Sequence, residues 1–185
     1  EGVTLADPQF RPVLRRCAEL GVWVMAHPYY VGNKTGLQDY YLTNLVGNPV
    51  DTLICATHLM LSGVLEELPD LKVMLVHGGG LLPYLIGRLD HGHKVRSEAR
   101  VNTTTVPSEL IKRFYFDTVL FDPAPLRYLL DLCGSGRIVL GSDAPFDMGD
   151  TNPRGTVEAV QSISEADLKA IFSQGAAAEL MGESF

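Results

Sequence analysis

Leu71-Lys72-Val73-Met74-Leu75-Val76-His77-Gly78-Gly79-Gly80 decides the class of fold. An apolar run with β-branched content, closed by glycines, is the pattern of a parallel strand covered on both faces. The glycines let the backbone turn sharply into the next helix. They leave the imidazole of His77 at the strand's carboxyl end, where parallel α/β folds bind their ligands. Taken alone, such a histidine serves equally well as a hydrogen-bonding partner for a neighbouring loop.

Upstream, Asp7-Pro8 opens a helix to Leu20 with Phe10, Val13, Leu14, Cys17 and Leu20 on one buried stripe. Gly21 ends it, and a strand over Val22 to Ala26 runs into His27-Pro28. The segment from Tyr29 to Asn48, about twenty residues, is longer than a plain connection and predicts a substrate loop. Pro49 and Asp51 introduce a helix to about Glu67, stopped by Pro69-Asp70.

Downstream, the spacing predicts a helix over 82–96, an exposed polar loop over 97–107 and a strand over Ile111 to Thr118. Asp122-Pro123 caps a further helix that ends at Gly134. A fourth strand over Arg137 to Leu140 runs into Gly141-Ser142-Asp143, and helices over 156–163 and 165–181 follow. One helix and then four strand–helix repeats predict a parallel sheet with right-handed crossovers, in a single domain over residues 1–185.

The composition, 46% hydrophobic and 20% charged over 185 residues, is that of a soluble globular domain able to bury a sizeable core. No apolar run approaches the roughly 18 residues of a membrane span. The stretch Glu1-Gly2-Val3-Thr4 has no basic region leading into an apolar one, so the expectation is a cytoplasmic protein without a membrane partner. A net charge of -7 without a Lys/Arg run argues against nucleic acid and favours a metal cation or a small molecule. Cys17, Cys55 and Cys133 lie far apart with no Cys-x-x-Cys pair, and are expected to be reduced core residues.

His27, His77 and Asp143 each close a predicted strand. Strand ends of a parallel sheet emerge on one face, so the three side chains are expected to converge. Imidazole and carboxylate together suit one divalent ion, zinc or manganese, with an open position for water. His27 and Asp143 then read as ligands, and His77 as a general base or a polarising acid. Two protein ligands fall short of the three that a catalytic zinc site usually has.

Ser-Asp-x-Pro around Asp143 is also good turn chemistry. Asp122 reads as a helix cap, whereas Asp117, near the third strand's end, reads either as structural or as a support behind the metal ligands. Arg88, His91 and Arg96 lie on adjacent turns of one helix, either as a solvated face or as a clamp for a substrate carboxylate, within one subunit or across a dimer contact. His58 and His93 read as structural.

Ala26-His27-Pro28, Gly47-Asn48-Pro49-Val50-Asp51-Thr52, His77-Gly78-Gly79-Gly80, Gly87-Arg88-Leu89-Asp90-His91-Gly92 and the run Gly141 to Gly149, in this order, resemble the motifs of the amidohydrolase-related decarboxylases, nearest the aminocarboxymuconate-semialdehyde decarboxylase branch. The resemblance implies a (β/α)8 TIM-type barrel with one divalent metal, zinc first and manganese second. It implies His27 and Asp143 as metal ligands, His77 as the catalytic histidine, with Asp143 beside it in the catalytic set, and Arg88 as a residue that binds the substrate carboxylate. Tyr29 stands where many relatives have tryptophan, which puts it at the substrate.

That family carries a His-x-His pair of metal ligands on its first strand, and no predicted strand of this chain has one. Four strands are predicted where the barrel has eight, so the resemblance implies the C-terminal part of a barrel. The expected activity is decarboxylation of an unsaturated or aromatic carboxylic acid by a homodimer. The alternatives are a metal-dependent hydrolase of an ester, lactone or amide, and a non-catalytic fragment that lacks a complete metal site.

Overall fold

The computed structural model describes residues 3–29 and 32–182. Glu1 and Gly2 of the N-terminal stretch, and Tyr30 and Val31 of the predicted substrate loop, lie outside the described residues. In order the elements are α1 (Arg11–Leu20), β1 (Trp23–Ala26), α2 (Asn48–Leu61), α3 (Val64–Glu67), β2 (Lys72–Leu75), α4 (Leu82–Val95) and α5 (Pro107–Leu110). There follow β3 (Tyr115–Asp117), α6 (Pro123–Cys133), β4 (Ile138–Val139), α7 (Pro153–Glu158), α8 (Glu165–Phe172) and α9 (Ala176–Met181). The chain forms two compact units, one running to Leu75 and resuming over Gly79–Phe114, the other made of Val76–Gly78 and the chain from Tyr115 onward.

In the first unit β1 pairs with β2 in parallel, from Trp23 opposite Lys72 to Ala26 opposite Leu75. The predicted stripe of α1 is only partly buried: Leu14 is inside, whereas Val13 is 60% and Leu20 56% exposed. Charge supplements this short apolar contact, because Arg11 and Arg15 both pair with Glu67 of α3, at 3.2 and 2.8 Å. The single helix predicted to Glu67 is two helices, α2 and α3, because the backbone leaves the helical region at Gly63 (φ 79).

The polar loop predicted over 97–107 contains a 3-10 turn, Ser97–Arg100, and the strand predicted from Ile111 begins only at Tyr115. Pro107 starts α5 instead, and Ile111–Arg113 continues it as a 3-10 turn. Side chains remote in sequence hold this segment helical. Asp90 accepts the Ser108 N–H at 2.8 Å, and Arg113 donates to the Leu65 and Pro69 carbonyls.

In the second unit β3 pairs with β4 in parallel, Phe116 opposite Ile138 and Asp117 opposite Val139. Asp122 caps α6 as predicted, accepting the Ala124 N–H at 2.7 Å. Leu126, Leu129 and Leu130 are buried against this unit's core with Ile138, Val157 and Ile171. The helix predicted over 156–163 begins earlier, at Pro153, because Asn152 caps it, and the one predicted over 165–181 is interrupted between α8 and α9. The cysteines are free thiols, and burial followed by the nearby Asp51 carboxylate pushes the Cys55 thiol up.

Tyr115 ties the start of β3 to α9. Its hydroxyl donates to Glu179 Oε2 at 2.7 Å, and the Arg137 guanidinium lies over its ring at 4.6 Å. Burial, then the hydrogen bond to Glu179, push the phenol up to about 12. The folded state therefore keeps a proton that an unfolded tyrosine releases near pH 10, so this contribution to stability is intact below about pH 10 and is lost as pH rises through about 12. In an alkaline absorbance titration one of the seven tyrosines is expected to ionise last, near pH 12, and Tyr115→Phe removes that component.

Candidate metal and catalytic site

The strand predicted to reach His77 stops at Leu75, and the histidine belongs to the turn that follows it. Four consecutive residues of this turn have left-handed backbones: His77 (φ 56), Gly78 (φ 58), Gly79 (φ 82) and Gly80 (φ 60). Asp143, four residues beyond the end of β4 at Val139, has φ 59. For a residue with a Cβ this conformation costs about 1–2 kcal/mol, and such positions concentrate where function requires them. At Gly78 a Cβ would lie 2.6 Å from Leu120 Cδ2, so a side chain there would force Leu120 to shift.

These two strained residues come together in the second unit. His77 Nε2 lies 3.5 Å from Asp143 Oδ1, and the side chains are 20% and 16% exposed. The gap exceeds an ordinary hydrogen bond. An imidazole nitrogen and a carboxylate oxygen are donors that first-row divalent ions accept, so the residues present fit such a cation.

Three sets of contacts hold the pair. Asp117 Oδ1 accepts the Gly78 N–H at 2.9 Å and the Val119 N–H at 3.1 Å. The Thr118 hydroxyl accepts the Gly141 N–H at 3.1 Å and donates to the Gly141 carbonyl at 3.3 Å, which fixes the exit of β4. Beyond it, the Asp150 N–H bonds to the Ser142 carbonyl at 2.7 Å and the Phe146 N–H to the Asp143 carbonyl at 3.1 Å. Burial pushes the Asp117 carboxyl up, opposed by the N–H groups of Gly78, His77 and Val119 and by the His77 ring.

The other predicted site residues belong to the first unit. His27 follows β1 and places Nδ1 3.0 Å from its neighbour's carbonyl, Pro28 O. Donation from Nδ1–H makes Nε2 the lone-pair nitrogen, the tautomer that a ligand needs. Tyr29 is 82% exposed, and its backbone N–H is held at 3.3 Å by Asp51 Oδ2. Arg88 and His91 are exposed on α4, one face of which also carries Tyr84.

Arg96 leaves the predicted clamp to pair with Glu98 at 2.5 Å. His91-Gly92-His93 repeats the His-x-His spacing on this helix, but the two side chains part: His91 is exposed, while His93 is buried with Nε2 3.2 Å from the Thr103 carbonyl. The sequence marks Asp51 as helix-start chemistry inside the Gly47–Thr52 run, and Asp117 as a carboxylate near a strand end with a structural or a supporting role.

The Amidohydrolase family profile matches residues 1–180, and the chain belongs to that family. A 2-amino-3-carboxymuconate-6-semialdehyde decarboxylase of Dictyostelium discoideum is 35% identical over 183 residues, 98% of this chain and 50% of that protein. A 6-methylsalicylic acid decarboxylase of Penicillium expansum is 30% identical over 142 residues, 76% of this chain and 44% of that protein. Among solved structures, a dihydroxybenzoic acid decarboxylase from Polaromonas sp. JS666, with bound manganese and 2-nitroresorcinol, superposes with a TM-score of 0.83 at 23% identity, covering all of this chain and 58% of that one.

The chain thus spans about half the length of the curated relatives it matches. It carries four strand–helix units of the (β/α)8 class expected from its sequence.

The packing at Gly78 is testable without any activity. Gly78→Ala is expected to lower the stability of the chain by about 1–3 kcal/mol, since it forces a Cβ into the left-handed region and against Leu120. Urea denaturation measures the loss.

Proposed function

We propose that the whole protein is a metal-dependent decarboxylase of unsaturated or aromatic carboxylic acids. The observation that carries this reading is the His77–Asp143 pair, held 3.5 Å apart on two left-handed residues in a chain of the Amidohydrolase family. The decarboxylases at 35% and 30% identity support the reaction class, and their names point to unsaturated and aromatic acids.

His27 and Asp143 would hold one divalent cation. Zinc suits their nitrogen and oxygen donors, and the manganese in the Polaromonas structure makes that ion the second candidate. A bound cation supplies Lewis acidity toward substrate oxygens. Arg88 binds the substrate carboxylate, and Tyr29 borders the bound molecule. The bond between the substrate carbon and the carboxylate breaks, the electron pair stays on carbon, and His77 delivers the proton that takes the place of the departing carbon dioxide. An imidazole suits this transfer because it exchanges protons near neutral pH. Asp143, beside His77, keeps the ring oriented. The protein acts as a homodimer, a reading supported by the exposed Tyr84–Arg88–His91 face of α4.

The test is carbon dioxide release by the full-length protein from 2-amino-3-carboxymuconate-6-semialdehyde and from a series of hydroxybenzoic acids. Release is expected with at least one of them, and His77→Asn lowers kcat by about 10²- to 10⁴-fold. Ester or lactone cleavage with no release from any acid would overturn the reading in favour of a hydrolase. A chelator is expected to abolish turnover, and added zinc or manganese to restore it, as followed by the same assay.

A further inference from the structure

Asp117 is a buried carboxylate at the end of β3, 6% exposed, that the proposed reaction does not use. Its surroundings give it a task. Oδ1 takes the N–H of Gly78, the residue directly after His77, and the N–H of Val119 within its own segment. On its other side the Asp117 side chain packs against Gly141, two residues before Asp143. A Cβ built on Gly141 would stand 2.9 Å from Asp117 Cβ and 3.4 Å from its Cγ, closer than packed atoms tolerate at the first contact. The aspartate therefore bonds to the backbone that carries one member of the pair and abuts the backbone that carries the other.

Size and chemistry both matter at this position. A backbone N–H buried without an acceptor costs about 1–3 kcal/mol, so removing Oδ1 leaves the left-handed turn at His77 and Gly78 without its anchor. A side chain that reaches Gly78 while filling the space left by Gly141 must be short and must end in an acceptor. Asn shares both properties with Asp.

We infer that Asp117 is a positioning residue that sets the separation of His77 and Asp143, acting through the Gly78 N–H on one side and contact with Gly141 on the other. The inference rests on the proposed roles of His77 and Asp143 in decarboxylation. The geometric claim itself can be tested without turnover.

The test uses the full-length protein and three variants. Asp117→Asn keeps the Oδ1 acceptor of the Gly78 and Val119 N–H groups, Asp117→Ala removes it, and Gly141→Ala keeps the carboxylate but crowds its side chain. Nitrogen-15 NMR of the His77 ring through a pH titration reads its surroundings, and kcat and KM for the acid that releases carbon dioxide read the consequence. Asp117→Ala and Gly141→Ala are each expected to displace the His77 ring resonances and to lower kcat by about 10- to 100-fold, the usual cost of losing a partner behind a reacting group, with KM changed less than about threefold. Asp117→Asn is expected to keep the wild-type ring titration and to recover most of kcat.

Wild-type His77 resonances and wild-type kcat in folded Asp117→Ala would overturn the inference, as would an Asp117→Asn variant as impaired as the alanine. Where Asp117→Ala does not fold, Gly141→Ala decides by the same readouts. If no acid is decarboxylated, the proposed function fails, and the His77 titration still decides whether Asp117 positions the ring.

Discussion

The hydrogen bond from the Gly78 N–H to Asp117 Oδ1 anchors the turn on which the site depends. A strand ending at Leu75 would otherwise continue or enter a helix, and either course would carry the His77 imidazole away from Asp143. The left-handed conformations at His77 and Asp143 are costly for side-chain-bearing residues. They persist because their neighbours over-determine them: Asp117 holds Gly78, Thr118 holds Gly141, and Asp150 closes the loop behind Ser142. Sequence thus sets local geometry at two adjacent positions, Asp117 and Thr118, and that geometry brings together two residues 66 apart in sequence.

A separation of 3.5 Å between an imidazole nitrogen and a carboxylate oxygen is chemically versatile. It is too long for the two groups to satisfy each other and short enough for both to face one bound species. Their side chains are shielded from most solvent yet not sealed. In the first unit, the His27 ring bonds to Pro28 O through Nδ1, which leaves Nε2 as the nitrogen with the lone pair.

Much of this was legible in the sequence. The apolar run to Val76 and the glycines after His77 located the turn, and periodicity found all four strands, because burial of a parallel strand is written in composition. His77 and Asp143 could be named because each follows such a run. What was not legible depended on partners remote in sequence. The helical turn at Ile111–Arg113 reads as strand from its own residues, whereas in the structure it continues α5, whose Ser108 N–H is held by Asp90, and its Arg113 donates to the Leu65 carbonyl. The exposure of Val13 on α1, the separate fates of His91 and His93, and the two-sided role of Asp117 likewise follow from packing that no local pattern encodes.

The proposed exchange of a carboxylate for a proton at His77 and Asp143 is tested by mass spectrometry of the product that the full-length protein forms in deuterium oxide. One deuterium on the carbon that carried the carboxylate, with carbon dioxide released in equal amount, is the predicted result. A product that retains every carboxylate carbon and gains oxygen from water would contradict decarboxylation.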